Sequence, residues 1–321
     1  MKIAALKYCV AGLLLASTAA LADVTAPECI APAKPGGGFD LTCRVAQTGL
    51  AAQFDKPIQV TFMPGGIGAV AFSQFNTTRT DDPNAIVAFS SGSLLNIATG
   101  KFGEFTENDI RFLATVGADF GAVVVRADSK FETLDDLMAV FKETPAEVVV
   151  GAGGSVGSQD WMKGALLLKS VESSPRDMRY VSFEGGGEAL AALLGGSIDM
   201  VTADVGEVIS HLEAGNIRVL AVLSPERLDA PFDQIPTAIE QGYDVEWTIM
   251  RGFYMGNNVP DADYQAWADA FAKAYETEEF RKIREEKGLL PLNLSGAELD
   301  TKVKQRIGEL RQIARDAGLI K

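Results

Sequence analysis

Glycine clusters directly follow several apolar runs of the sequence, and their positions are those most able to contact a ligand. The segment Pro35–Asp40 reads PGGGFD and separates a strand-like run from a helical one. Gly151–Ser158 follows the apolar run Val148–Val150, and Phe183–Gly187 precedes another helical run. Glycine lets a backbone approach a ligand closely, and the start of a helix presents N–H groups without acceptors. The spacing therefore predicts backbone binding of an anion.

A fourth loop adds hydroxyl groups to these glycines. It contains Ser90 and Ser91, and it follows the apolar run Ala85–Phe89. In open α/β sheets, ligands bind at the carboxyl ends of the strands, where all four loops would lie. No GxGxxG in frame and no GxxxxGK[ST] occurs in the chain, which argues against a nucleotide. The four loops together predict one cleft that binds a small anion.

Strand-like runs alternate with helical periods along most of the chain. We predict strands at Glu28–Pro32, Ile58–Phe62, Ala85–Ser90, Ala122–Arg126, Val148–Gly151, Met178–Val181, Met200–Ala203, Val219–Leu223 and Gly252–Met255. We predict helices at Leu41–Gln53, Leu134–Thr144, Ser158–Val171, Gly187–Leu194, Val205–Ala214 and within Asp261–Lys321. This alternation indicates an α/β fold in which mainly parallel sheets are flanked by helices.

The length of the chain predicts two lobes. Its 321 residues exceed what one hydrophobic core usually organises. We expect lobe I to comprise residues 23–125 plus 226–321 and lobe II to comprise residues 126–225. Two crossings between the lobes would form a hinge, which is the mechanical basis of clamshell closure.

Charge and composition exclude several classes of function. The chain has 29 Lys and Arg against 43 Asp and Glu, a net charge of −14, which argues against nucleic acid and anionic membranes as partners. Its one histidine, His211, lies near a predicted helix end, and no carboxylate pair stands out as a metal or glycosidase site. We therefore expect no metal, no cofactor and no catalytic residue.

The N-terminus is typical of a secretory signal peptide. Lys2 and Lys7 precede an apolar run, and Ala20-Leu21-Ala22 fits the small-residue rule for cleavage. The apolar run is shorter than the ~20 residues that a membrane span requires. We predict a signal peptide at residues 1–22, cleavage after Ala22, and a periplasmic location.

Two cysteines remain after the signal peptide is removed. Cys29 would begin a strand and Cys43 would lie inside the following helix. An exported protein permits a disulfide between them, provided that the intervening loop folds back. The alternative is a pair of small buried side chains.

The glycine loops also carry a family resemblance. Together with Pro35–Asp40, the segments Phe183–Leu190, Leu193–Met200 and Ala214–Val222 resemble the solute-binding proteins of tripartite tricarboxylate transporters, the Bug family. The resemblance runs from about Glu28 to the C-terminus. It implies a monomeric two-lobe periplasmic binding protein, a Venus flytrap that hands citrate or a related dicarboxylate to integral-membrane permease subunits.

The resemblance also implies which residues hold the ligand. Carried over by position, they are Gly37, Gly38, Phe39, Asp40, Ser155, Gly157 and Ser158, followed by Gly186, Gly187 and Asp204. Many family members have a histidine in the helix after the second loop, where this chain has Asp160 and Trp161.

Arg251 is a further candidate. It lies in a segment, Trp247–Gly256, that resembles the tricarboxylate (TctC-like) branch of the family. Arginine can pair with a carboxylate through two parallel hydrogen bonds. The alternative is a surface salt bridge.

Two other functions remain open from the sequence. An exported hydrolase would need a nucleophilic serine in a GxSxG elbow with a histidine partner, and His211 is the only histidine of the chain. A ligand-sensing subunit of a signalling system would use the same clamshell.

Overall fold

The computed structural model describes residues 24–316 and 318–320. The predicted signal peptide at 1–22 and its cleavage site after Ala22 lie outside these residues. Within them, no helix has both the length and the apolar character needed to cross a membrane.

Strands and helices alternate through the described residues. The strands are β1 Glu28–Ala31, β2 Gln59–Phe62, β3 Ala85–Ser90, β4 Ile110–Arg126, β5 Val149–Gly153, β6 Arg179–Phe183, β7 Met200–Asp204, β8 Ile217–Leu223 and β9 Thr248–Gly256. The α-helices are α1 Gly38–Gly49, α2 Ala69–Thr77, α3 Ser91–Ala98, α4 Leu134–Glu143, α5 Gln159–Ser170, α6 Gly186–Leu194, α7 Val205–Glu213, α8 Asp261–Tyr275, α9 Glu278–Glu286 and α10 Gly296–Asp316. The predicted α/β class is confirmed.

Two sheets share the long strand β4. In the first sheet β2, β1 and β3 are parallel, and β9 runs antiparallel between β3 and β4. In the second, β6, β5 and β7 are parallel, and both β7 and β8 pair antiparallel with β4. Each sheet is thus parallel in its outer part and antiparallel around β4.

The strand β4 changes partners in its middle. Residues up to Phe120 pair with β9, whereas residues from Gly121 onward pair with β7 and β8. The predicted lobe boundary between residues 125 and 126 falls at the far end of this strand. The chain therefore passes from one sheet to the other inside a single strand.

Three elements differ most from the sequence prediction. The strand β4 begins at Ile110 and not at Ala122, because Gly117 and Asp119 interrupt its apolar pattern. The helices α2 and α3 were not predicted; every residue of α3 is buried, so it lacks the one-sided apolar period by which surface helices are recognised.

The helix α1 packs on β1 and is linked to it covalently. Cys29 in β1 and Cys43 in α1 form a disulfide, with Cα atoms 5.6 Å apart. The segment between β1 and α1 turns back, so that Phe39 and Val45 join the same buried cluster as Cys29. This packing fixes the start of α1 beside the carboxyl end of β1.

We expect the double variant C29A/C43A to be less stable than the wild type by about 3 kcal/mol, because the disulfide closes a short loop that would otherwise gain entropy on unfolding. Urea denaturation measures this difference. A reducing agent should lower the stability of the wild type and leave the variant unchanged; a wild type insensitive to reductant would contradict the prediction.

Candidate ligand-binding site

A small cavity lies between the two sheets, where several strands end and helices begin. The volume open to the centres of water molecules inside it is ≈ 50 Å³. That volume leaves room for a few waters or part of a small ligand. The first sheet contributes Ala33, Gly37, Gly38, Phe39, Ile67, Ser90, Gly92, Asn96 and Arg251, and the second contributes Gly153, Ser158, Gln159, Asp160, Gly185, Gly186, Asp204 and Glu207.

Five helices point their N-termini at this cavity: α1, α3, α5, α6 and α7. The N-caps of α1 and α6 are Gly37 and Gly185, neither of which provides a side-chain cap. The first N–H groups of a helix have no acceptor within it, and the helix dipole adds a partial positive charge there. The cavity wall therefore offers hydrogen-bond donors suited to an anion.

The serine hydroxyls at the cavity serve mainly as caps. Ser90 accepts a hydrogen bond from the N–H of Gly92 at 3.1 Å and is part of the capping box of α3. Ser158 accepts from the N–H of Trp161 at 3.3 Å and donates to the carbonyl of Gly153 at 2.9 Å. These two serines fix the starts of α3 and α5.

Arg251 forms a buried ion-pair network behind the cavity. Its side chain is 1% exposed, and its Nε and Nη2 atoms lie 2.9 and 2.7 Å from Oδ2 of Asp119. Nη2 also lies 2.6 Å from Oδ2 of Asp204, which belongs to the second sheet. Arg251 thus joins the two sheets, and it is not the surface salt bridge considered from the sequence.

Lys163 balances the other side of the same network. Its side chain is fully buried in α5, and its Nζ pairs with Asp204 and lies 2.8 Å from Oδ1 of Asp160. Burial alone would raise the pKa of Asp204, but Lys163 and Arg251 together hold it below its usual value. Asp204 is therefore an ionised carboxylate compensated from both sides.

Glu207 stands apart from these pairs. Its carboxyl group lies in the cavity wall, close to the backbone of Gly38 and Gly186. No hydrogen bond or ion pair joins it to another side chain among the described residues. Burial and the neighbouring negative charge of Asp204 raise its pKa well above the usual range. Glu207 is therefore the carboxyl group of the site that most readily accepts a proton.

Comparison with known proteins identifies the family. A family model described as the tripartite tricarboxylate transporter family receptor matches residues 42–319. The chain belongs to this family. BugT of Bordetella pertussis is 27% identical over 244 residues, which cover 73% of this chain and 73% of BugT.

Solved structures show the same fold. MatC of Rhodopseudomonas palustris, solved with bound malate, superposes with a TM-score of 0.78 at 19% identity and covers 90% of this chain and 98% of MatC. A second R. palustris protein, solved with adipate, gives a TM-score of 0.81 at 19% identity, covering 91% of this chain and 97% of that one. The receptor therefore has the two-lobe fold that its sequence predicts.

The structure brings most of the predicted site residues of this receptor to one cavity. The residues that line it are Gly37, Gly38, Phe39, Ser90, Ser158, Gly186, Asp204 and Arg251. The first glycine loop and the middle glycine loops do meet across the cleft, as their positions at strand ends predict. Whether these residues hold the ligand stays a prediction.

Other predicted residues lie beside the cavity and not in its wall. Asp40 accepts a hydrogen bond from the N–H of Gly36 at 2.9 Å and pairs with Arg44, so it shapes the first loop. Ser91 accepts from the N–H of Met250. The remaining three are Ser155, which lines a neighbouring cavity, Gly157, which lies beside Lys101 and Leu319, and Gly187, whose backbone packs on Gly36.

Sequence analysis missed several residues of the wall. Gln159 and Glu207 stand in the first turns of α5 and α7, where polar residues are common for reasons of capping alone. Asn96 lies in the unpredicted helix α3. Ile67 has φ of 48° and follows Gly65 and Gly66, and this glycine run after a strand was a usable signal.

Replacing Arg251 with Met should lower the free energy of unfolding by about 3–5 kcal/mol, because Asp119 would keep a buried charge without a cationic partner and Asp204 would retain only Lys163. Chemical denaturation measures the change. The matched control is R227M, which breaks the exposed Arg227–Glu240 pair on the surface and should cost far less. Equal losses in the two variants would contradict a buried network.

The raised pKa of Glu207 predicts that the stability of the folded protein depends on pH. Its pKa is raised in the folded protein, so folding takes up a proton, and the free energy of unfolding should fall as pH rises from about 4.3 towards the raised value. Relative to the E207Q variant, the wild type should lose up to about 1.4 kcal/mol per pH unit in that window.

Urea unfolding of the wild type and E207Q across this pH range tests this prediction. The difference between the two free energies of unfolding removes the contributions that Asp119 and Asp160 make in both proteins. Parallel stability profiles would show that Glu207 titrates normally.

Proposed function

We propose that this chain is the exported receptor of a tripartite tricarboxylate transporter and that it binds a small carboxylate between its two lobes. The ligand would be a dicarboxylate or a tricarboxylate such as citrate. Its carboxylates would accept hydrogen bonds from the helix starts on both sides of the cavity. The loaded receptor would then deliver the ligand to the permease subunits in the membrane.

The observation that carries this proposal is the convergence of five helix N-termini on one cavity between two sheets. The helices α1 and α6 begin at glycines, which carry no capping side chain, so their first N–H groups are available to a ligand. The cations Arg251 and Lys163 are already paired. Backbone donors, not side-chain cations, would therefore supply most of the contacts to the anion.

Relatives support the ligand class. The structural neighbours solved with malate and with adipate both hold small dicarboxylates, and both have this fold. The family description itself names a tricarboxylate transporter receptor. These likenesses favour a carboxylate without specifying which one.

The remaining features of the proposal rest on the sequence. Cleavage after Ala22 would release the protein into the periplasm, as the charged start and small-residue end of the signal indicate. The released protein would act as a monomer. Residues 126–225 would form lobe II, and residues 23–125 with 226–321 lobe I. The hinge would then lie along β4, which belongs to both sheets.

The hydrolase alternative finds less support. His211 lies in the last turn of α7, whose first turn is the part that contacts the cavity. Ser155, the serine of the middle glycine loop, is exposed. A nucleophile and its base would have to meet within hydrogen-bond distance. A sensor subunit of a signalling system would bind its ligand at the same site. Only the identity of its partner protein would distinguish it from a transport receptor.

A thermal-shift screen of the mature protein tests the ligand class. We expect succinate, malate, glutarate or citrate to raise the melting temperature, since binding at 100 times Kd adds ~2.7 kcal/mol. The corresponding neutral amides, at equal concentration, should give no shift because they carry no charge for the helix starts. Absence of a shift with every carboxylate would contradict the proposal.

Glycine variants locate the site. A Cβ atom at Gly38 would lie 2.2 Å from Nη1 of Arg251 and 2.7 Å from Oε1 of Glu207, so G38A should weaken binding at least about tenfold. The matched control is G308A, because a Cβ at Gly308 meets no atom within 4 Å. Isothermal titration should show unchanged affinity for G308A; equal affinity in G38A would place the ligand elsewhere.

A further inference from the structure

Gln159 lines the cavity and carries a buried acceptor without a partner among the described residues. It is the first residue of α5, its side chain is buried, and the whole residue is 9% exposed. The Oε1 atom is buried and has no hydrogen-bond partner among the described residues. An acceptor buried without a donor is costly, so its position in a binding cavity points to a group that arrives with the ligand.

The orientation of this amide is fixed by its neighbour. The Nε2 atom of Gln159 lies 3.3 and 3.4 Å from the two carboxylate oxygens of Asp204. An ionised carboxylate only accepts hydrogen bonds, and Asp204 is ionised because Lys163 and Arg251 lower its pKa. The NH₂ side of the amide must therefore face Asp204, which leaves the oxygen as the side of the amide without a partner.

The oxygen faces the start of α3. A Cβ atom at Gly92 would lie 3.1 Å from Cβ and 3.4 Å from Oε1 of Gln159. Asn96, one turn further along α3, lies on the same helix face and also lines the cavity. Near Gln159 the cavity wall thus contains an unsatisfied acceptor beside the start of α3.

A plain carboxylate cannot satisfy this acceptor. Its oxygens accept hydrogen bonds and carry negative charge, so a carboxylate oxygen beside Oε1 would meet repulsion. A hydroxyl group differs because it can donate one hydrogen bond to the acceptor.

We propose that the ligand of this site is a hydroxycarboxylate whose hydroxyl group donates a hydrogen bond to Oε1 of Gln159. This inference rests on the proposed function, because it assumes that the helix starts hold the carboxylates. It narrows the ligand class to acids that carry a hydroxyl group near a carboxylate.

A hydroxyl fits better than an ammonium group. An ammonium ion requires a negative partner, and the carboxylates of Asp160 and Asp204 are already paired with Lys163 and Arg251. Glu207 is the remaining carboxyl in the wall, and its raised pKa favours the neutral form. A hydroxyl needs only the neutral acceptor that Gln159 supplies.

Matched acid pairs test the proposal by isothermal titration. The pairs are L-malate and succinate, 2-hydroxyglutarate and glutarate, and citrate and tricarballylate, in each of which only a hydroxyl differs. We expect the hydroxylated member of the pair that fits the site to bind about tenfold more tightly, a typical cost of one unsatisfied buried acceptor. L-aspartate serves as the ammonium analogue of malate.

Two variants assign the preference to Gln159. In Q159M the ratio of affinities within the pair should fall to about one. The control is Q74M, because Gln74 also has a buried Oε1 without a partner but lies in α2, outside the cavity wall. Q74M should keep the wild-type ratio. A ratio cancels any general weakening of the protein by the substitution.

The outcomes separate the two proposals. If no acid of any pair binds, the proposed function fails. If acids bind without preference for the hydroxyl, or if Q159M keeps the preference, only the hydroxyl inference is overturned. Tighter binding of aspartate than of malate would overturn the hydroxyl inference, because the donor to Gln159 would then be an ammonium group.

Discussion

The carboxylate of Asp204 is buried between two cations, and much of the architecture around the cavity follows from compensating that charge. Arg251 reaches it from β9 of the first sheet and Lys163 from α5 beside the second. An unpaired buried charge would cost several kcal/mol, so these elements must meet at one point. Asp119, on the shared strand β4, completes the pairing of Arg251. The two sheets are thus held together at the base of the cleft.

Several glycines leave space for this network. A Cβ at Gly121 would lie 2.7 Å from Cδ of Lys163, so the aliphatic stem of the lysine passes where a side chain would stand. At Gly186 a Cβ would lie 2.2 Å from Oε2 of Glu207. The glycine loops therefore have two uses. They bring backbone donors to the cavity, and at Gly186 they leave room for the carboxyl group of Glu207 in its wall.

Part of this organisation can be predicted from the sequence, because strand ends and glycine loops are local features. The loop at Gly36–Gly38 and the loop at Gly185–Gly187 each follow an apolar run and precede a helical one, so their meeting at one cleft follows from α/β topology. The partners of Arg251 cannot be predicted in this way, because Asp119 and Asp204 are 132 and 47 residues away in sequence. Asp119 also lies in the part of β4 that was not predicted. A charged residue can stand within this buried strand because Arg251 compensates its charge.

If the two lobes close on the ligand as we propose, the contact at the rim of the cleft would contribute little to closure. Lys34 pairs with Glu188 across the opening at 2.9 Å, but their side chains are 48% and 38% exposed. Exposed pairs contribute only about 0–1 kcal/mol, too little to keep a clamshell shut. The network at Arg251 lies beside β4, where we propose the hinge, so the proposed motion would displace its atoms least. The open and closed forms would then differ in whether helix starts from both lobes contact the same anion. A ligand long enough to reach both sides would gain affinity only on closure, and that difference would shift the population towards the closed receptor.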